Sequence, residues 1–405
     1  MINKRYDFAA YFAFTAYASC SLVIPIVLVK MGEDLNFPLD DGGMSSGGIL
    51  HLARCIAMVF SLLSCGFIAG KFGKRMPMGV SLMLMGASIF GAAFAPAYWI
   101  LIPLLLAAGF GEGICEGLAT PFVQDLHPDN PEKYVNISHS FWSVGIGICV
   151  LGAGAMLSAG ISWRTILIIA GSAAMAVSLL FICKESPCNR YPESPEKPDA
   201  AVIWQKTIDI FKQGRFWLYC AGMFTGAGAE FCLTFWAAAY LQLSFGASAF
   251  LAGTGTAAIA LGMFCGRNVF GSIANERNLK KILFSAALGT IPLTILLALL
   301  KAEYFTSPAI FFAVIMSILF CCGIGIAPYW PTLQVHGVNR MPHHDSTLLY
   351  ILFSAMGVPG CGFFTWIIGV LGDKYGLQGA FMLIPASLVV YIGILLVDTF
   401  LPEKK

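Results

Sequence analysis

Charged side chains are scarce in this chain: 11% of its 405 residues are Asp, Glu, Lys or Arg, against roughly 25% in ordinary soluble domains. With 58% of the residues hydrophobic, a water-soluble globular domain is excluded and a polytopic membrane protein is expected. The net charge of +2 leaves no basic surface for nucleic acid, and the charges that exist gather in a few short loops. No catalytic triad, phosphate-binding loop or metal-ligand spacing is present, so neither an enzyme nor a cofactor or metal site is expected, a coupling proton aside. The 13 cysteines do not supply one. Cys55, Cys115, Cys265, Cys321 and Cys322 sit inside apolar runs without paired spacing and read as small packing residues. The apolar run after Lys4 and Arg5 lacks a small-residue cleavage site, so it reads as a retained first helix rather than a signal peptide.

What the chain has instead is apolar runs of about twenty residues, the length that crosses a bilayer as a helix. About twelve recur, at 8–29, 48–70, 76–95, 98–124, 135–158, 162–183, 215–243, 247–274, 280–300, 307–330, 346–371 and 377–401. The expected fold is therefore all-α and membrane-integral. Lys and Arg crowd the loops on one side, among them Lys71, Lys74, Arg75, Lys280, Lys281 and Arg340, while the other side receives Lys30, Arg164, Lys301 and Lys374. The positive-inside rule then places both termini in the cytoplasm, with the protein in the plasma membrane, or the inner membrane of a Gram-negative cell. The long polar stretch from Cys183 to Arg215 falls at mid-chain, rich in Pro, Glu and Lys. It divides the chain into a six-helix bundle over 1–183, a cytoplasmic linker over 184–214 and a second six-helix bundle over 215–405. Within it, WQKTIDIFKQ has the pattern of a short amphipathic helix at the inner membrane face.

Against this apolar background the buried charges stand out. Glu112 and Glu116 lie in GFGEGICEGLATPFV, where a carboxylate is disfavoured by roughly 2.5–3.5 kcal/mol if ionised at the bilayer centre and usually marks a pathway. Their i, i+4 spacing puts both on one side of a helix. Glu112 either shares a proton with Glu116 or pairs with Arg54, which lies in the second run with His51 one turn earlier. Arg54 in turn is either that partner or a fork for an anionic solute. Glu230 falls near the middle of the seventh run, in GAGAEFCLTFWAAAYLQ, with Trp236 and Tyr240 following at helical spacing. Arg267 reads as a packing and loop-latch residue. A partial repeat pairs GFIAGKFGKR at 66–75 with GSIANERNLKK at 271–281, both read as close helix packing followed by a basic charge latch.

The stretch from Glu116 to Gly145 carries a more specific likeness. Glu116, Pro121, Phe122, Val123, Asn136, Phe141 and Gly145 fall at the spacing of the segment E-x-x-x-x-P-F-V, loop, N-x-x-Q-x-F-N-x-x-G. The chain thereby resembles the fucose permease branch of the major facilitator superfamily, the fucose, galactose and glucose proton symporters. YWPTLQ at 329–334 resembles that family's Pro-Thr turn ending span ten, and GVLGDKYG at 369–376 its Gly-x-x-x-Asp-x-x-Gly loop. The resemblance implies two pseudo-symmetric six-helix halves, a protonation role for Glu116, and a sugar cavity lined from span five. Two departures bear on function. Ser21 stands, four residues before Pro25, where the family has a proton-handling aspartate, and His139 and Trp142 replace the family's cavity Gln and Asn.

These readings converge on a secondary transporter moving a sugar or similar small polar solute by alternating access, with proton-coupled uptake. Glu116 and Glu112 are the expected coupling residues, and Asn136, His139, Trp142, Glu230, Gln124, Trp236 and Tyr240 the expected solute contacts. His139 and the aromatics have a second reading as satisfied packing residues. The expected partners are the solute and the bilayer, and one chain suffices to enclose a pathway. The alternatives are a proton-independent facilitator or exporter of another organic solute, amphipathic compounds included, and a solute sensor that moves nothing.

Overall fold

A computed structural model of the protein describes residues 4–129, 131–185, 190–192 and 200–400. Among these the chain is helical throughout, with no strand. The first helices are α1 (Lys4–Asp34), α2 (Met44–Phe72), α3 (Arg75–Ala92), α4 (Tyr98–Leu126), α5 (Pro131–Ser158) and α6 (Trp163–Ile182). The short α7 (Ala200–Phe211) takes up part of the polar mid-chain stretch. After it come α8 (Gly214–Phe245), α9 (Ala249–Ile273), α10 (Leu279–Leu299), α11 (Pro308–Ile326), α12 (Pro331–Asn339), α13 (Ser346–Tyr375), α14 (Leu377–Ala380) and α15 (Leu383–Phe400).

Ten helical stretches are long and apolar enough to cross a membrane, α11–α12 and α14–α15 each counting as one. The runs expected at 76–95 and 215–243 are helices of spanning length, α3 and α8, of 18 and 32 residues. α3 opens on Arg75 and α8 carries Glu230 within its apolar run. The Tyr329–Gln334 segment lies where the tenth span breaks: α11 ends at Ile326, a turn follows, and Pro331 occupies the first turn of the more polar α12. Proline lacks the N–H that would continue α11, so the chain bends and restarts rather than stopping.

Several helix ends follow from local sequence. Ser162, Ser248, Ser307 and Asp345 each accept a backbone N–H from the first turn of the helix they precede, which satisfies donors that have no helical partner. Gly246 closes α8 at φ +64°, a conformation open to glycine at little cost. The start of α2 is capped from elsewhere in the sequence. Asp373, near the end of α13, accepts from the N–H groups of Met44 at 2.8 Å and Ser45 at 2.9 Å. That contact gives the GVLGDKYG segment a structural purpose.

The chain divides into two compact units, one of Met1–Met31 with Ala53–Ile203, the other of Gly32–Leu52 with Trp204–Lys405. Inside the first, α3 packs on α4 and α6, and α5 on α4. Inside the second, α8 packs on α9, α13 and α15, and α11 on α9 and α10. Each unit contains a crossing in which backbones nearly touch. A Cβ on Gly109 or Gly113 of α4 would collide with the α2 carbonyls of Arg54 or Met58. A Cβ on Gly262 of α9 or Gly323 of α11 would collide with the carbonyl of Phe320 or Ile259 on the facing helix. Where lipid surrounds the helices, such close approach supplies much of the attraction between them.

Ion pairs gather at the ends of helices. In the first unit Lys74 contacts Asp125 at 2.6 Å and His127 contacts Asp7 at 2.5 Å. Glu185 accepts from the Tyr6 hydroxyl at 2.6 Å and the Tyr191 N–H at 2.8 Å, with Arg75 at 3.5 Å. In the second, the buried Asp398 accepts from Tyr219 at 2.7 Å and lies 3.3 Å from Lys280, 3.2 Å from His336 and 3.7 Å from Arg340. Both basic clusters of the sequence repeat thus latch onto a carboxylate.

Two outcomes follow. Gly323→Val forces side-chain atoms into the α9 backbone and should destabilise the protein by about 1–3 kcal/mol, read as a lower unfolding midpoint in detergent, while Gly393→Ala, where an added Cβ meets nothing within 4 Å, does not lower it. Burial raises the Glu185 carboxyl, but the Tyr191 N–H, the Tyr6 hydroxyl and nearby Arg75 and Arg190 outweigh it and hold the group below the ordinary carboxylate range. Its contribution is therefore complete above the unfolded value of about 4.3 and lost as pH falls through the lower folded value. Hydrogen exchange of the Tyr191 amide, corrected for intrinsic rate, should show protection falling in that acid window; unchanged protection would refute the latch.

Candidate functional site

The acids of α4 are set apart by what faces them. Arg54 is 2% exposed and Glu112 also 2%. The guanidinium grips the carboxylate with two nitrogens, Nε donating to Oε2 at 2.8 Å and Nη2 to Oε1. Its remaining donors go to α1, Nη1 to the carbonyl of Ser21 at 2.9 Å and Nη2 to that of Cys20 at 3.1 Å. The Ser21 carbonyl is available for a reason written in the sequence. Its helical partner would be the N–H of residue 25, and residue 25 is proline. Arg54 therefore occupies a gap that Pro25 opens, and Glu112 neutralises it. Of the two readings of Arg54, the structure shows the ion pair.

Glu116 is not engaged in that pair. One turn beyond Glu112 and half-buried, it lies close enough to Tyr17 of α1 and Cys65 of α2 to act on them electrostatically. Thr120, the next residue on the same side of α4, hydrogen-bonds His139 Nε2 at 2.9 Å. His139 packs on Phe14 with ring centroids 4.5 Å apart, and Trp142 meets Tyr17 edge to face at 4.4 Å. Gln124 continues the same side of α4 and is exposed. The side chain of Asn136 lies outside the described residues. In this unit, then, Glu116, Thr120, His139, Tyr17 and Trp142 form one polar and aromatic cluster.

Phe122, Phe141 and Gly145 of the spaced motif have packing explanations. Phe122 stacks on Tyr191 at 4.4 Å, Phe141 stacks on Tyr11 at 4.6 Å, and a Cβ on Gly145 would fall 2.5 Å from the Thr15 carbonyl of α1.

In the second unit two expected solute contacts prove to be core. Trp236 is fully buried and donates its indole N–H to the Thr365 carbonyl at 2.9 Å; Tyr240 is likewise buried, donates to the Leu297 carbonyl at 2.7 Å and stacks on Phe381. With their polar atoms committed to backbone, neither has a group to offer a solute. Glu230, 6% exposed, lies 3.6 Å from Arg267, so Arg267 is an ion-pair partner and not simply a packing residue. His51 stacks on Phe231 and Phe235 of α8. Two cavities of about 390 and 220 Å³ lie at α10 and α11, lined by residues such as Leu293, Val314 and Cys321, and none of the buried charges borders them. Among the described residues no group of His, Cys, Asp and Glu is arranged to hold a metal ion.

Sequence reasoning missed Thr120 and Tyr17, because an isolated hydroxyl in an apolar run carries no signal until a partner faces it. It also missed the anchorage of Arg54 on α1, for which Pro25 was the available clue. Since a lone guanidinium in this setting is strongly disfavoured, Glu112→Gln should destabilise the protein by about 3–5 kcal/mol, and replacing both partners with leucine should recover most of that loss. Chemical or thermal denaturation of the three variants measures both; a Glu112→Gln protein as stable as the parent would contradict the pairing.

Residues 9–365 match the family model of the Major Facilitator Superfamily. Myo-inositol transporter 1 of Saccharomyces cerevisiae is 26% identical over 162 residues, which is 40% of this chain and 27% of that protein. The chain matches about a third or less of the length of such curated relatives. Among solved structures, a bacterial homologue of the human lysosomal transporter Spinster superposes with a TM-score of 0.76 at 14% identity, covering 98% of this chain and 97% of that one. The fucose:proton symporter FucP of E. coli gives 0.64 at 17% identity over 98% and 99% of the two chains. The fold is thus shared with proteins of widely diverged sequence, and with the family model spanning most of its length this chain belongs to the Major Facilitator Superfamily.

Proposed function

We propose that the protein is a secondary transporter that takes up a sugar or polyol together with a proton by alternating access, with Glu116 carrying the proton. The observation that supports this most directly is the division of labour on α4. Glu112 is held by Arg54 with both oxygens occupied, whereas Glu116, a turn away, is half-buried beside a hydrogen-bonded Thr120–His139 pair and the Tyr17–Trp142 rings. A half-buried carboxyl among polar and aromatic side chains is in a setting where uptake and release of a proton change what surrounds it. The neighbouring groups suit a polyhydroxylated solute: a hydroxyl and an imidazole for its OH groups, and an indole face for its C–H surface. Gln124, exposed on the same side, extends the polar surface. The names of similar proteins, a myo-inositol transporter and a fucose:proton symporter, support the same class of solute. In this reading the carboxylate that the related symporters carry in span one is dispensable, because Arg54 fills the corresponding ground next to Ser21. The base-rich loops face the cytoplasm, and one chain forms the pathway.

The test uses the purified chain in proteoliposomes with a competition panel of myo-inositol, L-fucose, D-xylose, other hexoses, acidic sugars and amphipathic amines. A neutral polyol is expected to win, and an amphipathic amine winning would point to the exporter alternative. For one coupled proton, a one-unit pH gradient supports about tenfold accumulation of a neutral solute. The native protein should reach that level, and Glu116→Gln should only equilibrate the winning solute while retaining counterflow exchange. Full gradient-driven accumulation by Glu116→Gln removes the proton assignment, and binding without counterflow replaces transport with sensing.

A further inference from the structure

The second unit contains a buried carboxylate whose surroundings differ sharply from those of Glu112. Glu230 of α8 has one charged contact, Arg267 at 3.6 Å, too long for a hydrogen bond. Its second oxygen, Oε2, is buried and has no hydrogen-bond partner, and neither has Arg267 Nε. The two partners are unequally placed: the Glu230 side chain is 7% exposed and that of Arg267 31%. Arg267 can therefore turn away from the carboxylate, whereas Glu230 has no such freedom.

Tyr329 lies near enough to the carboxylate to interact with it electrostatically, and further groups pack on the same stretch of α8. One turn earlier on α8, Gly226 leaves room for two tyrosines, since a Cβ there would meet the ring of Tyr391 at 3.0 Å and Cβ of Tyr329 at 3.5 Å. Tyr391 comes from α15 and Tyr329 from the bend between α11 and α12, and both are fully buried. The Tyr391 hydroxyl has no hydrogen-bond partner, and that of Tyr329 faces Thr290 without reaching hydrogen-bond geometry. From α13, Cys361 is already engaged with the Ala227 carbonyl, and from α2, His51 lies over Phe231. Arg267 is thus the one cation among these groups that touches Glu230. A buried oxygen with no donor is costly as an anion, and a proton on it both removes the charge and creates a donor.

We propose that Glu230 is a proton-binding site of the second unit, separate from Glu116, with Arg267 as its counter-charge when the proton leaves. In the ionised form the carboxylate faces Arg267. On proton uptake the carboxyl becomes neutral, its O–H becomes a donor on the side of Tyr329, and Arg267 turns to solvent. Glu230 is by this assignment a proton carrier and not a contact for the solute. The site requires neither a particular solute nor transport itself.

The test is therefore made without solute. The full chain in lipid nanodiscs, labelled with ¹³C at glutamate side-chain carboxyls, is titrated from about pH 9 to about pH 4.5, from well above to about the ordinary carboxyl value, and followed by infrared difference spectroscopy. A carbonyl-stretch band of a protonated, water-shielded glutamic acid should grow as pH falls. Glu230→Gln should remove that band or its major component, Glu116→Gln should keep that component, and Arg267→Gln should let it persist to higher pH than in the native protein. No such band in the native protein, or a band lost with Glu116→Gln and untouched by Glu230→Gln, overturns the proposal. If Glu230→Gln does not fold, Arg267→Gln decides: an unshifted band overturns it. Failure of the solute panel would leave these results unaffected, so the two readings fail separately.

Discussion

A guanidinium keeps its charge at any ordinary pH, so one placed inside a membrane helix compels its neighbours to supply acceptors. Arg54 makes that demand, and three helices answer it: α4 with Glu112, α1 with the carbonyls of Ser21 and Cys20, and α2 by carrying the residue itself. The supporting features follow from this need. Pro25 releases a carbonyl on α1, and Gly109 and Gly113 let α4 approach α2 closely enough for the carboxylate to reach. Glu112 is thereby committed to structure.

The second unit uses related parts with a different outcome. Its close crossing, between α9 and α11, likewise rests on two glycines, and an arginine of α9 again meets an acid on another helix. Yet the Glu230–Arg267 contact lacks the two-pronged grip and the backbone acceptors that fix Arg54. The helix-end networks at Asp398, Asp125 and Glu185 show a third arrangement, in which one carboxylate collects several donors. Buried acids in this protein are thus graded by how many donors reach them.

The large-scale fold was legible because spanning helices leave a signal of some twenty residues each, which local detail cannot erase. The short amphipathic α7 was legible from its charge pattern as well. The likeness carried by Glu116, Phe122, Phe141 and Gly145 located the α4–α5 segment, although only the facing groups reveal that Phe122, Phe141 and Gly145 pack. What stayed hidden was pairing over long sequence separation. Trp236 and Tyr240 have the composition of solute contacts, and only the carbonyls of Thr365 and Leu297 reveal them as core. Asp373 looked like a loop residue until the N-terminus of α2 was found against it. The short α12 after Pro331 was not visible, because its nine residues carry no spanning signal of their own.

The union of Arg54 with Glu112 also has an electrical meaning. Each elementary charge carried across the membrane field is worth about 2.3 kcal/mol per 100 mV, and a guanidinium and carboxylate locked together carry none as they move. The strongest buried charge of the protein is thereby made invisible to voltage. Whatever electrical work the membrane does on this chain must act on groups whose charge changes, or on what the chain carries, and not on the arginine that joins α1, α2 and α4.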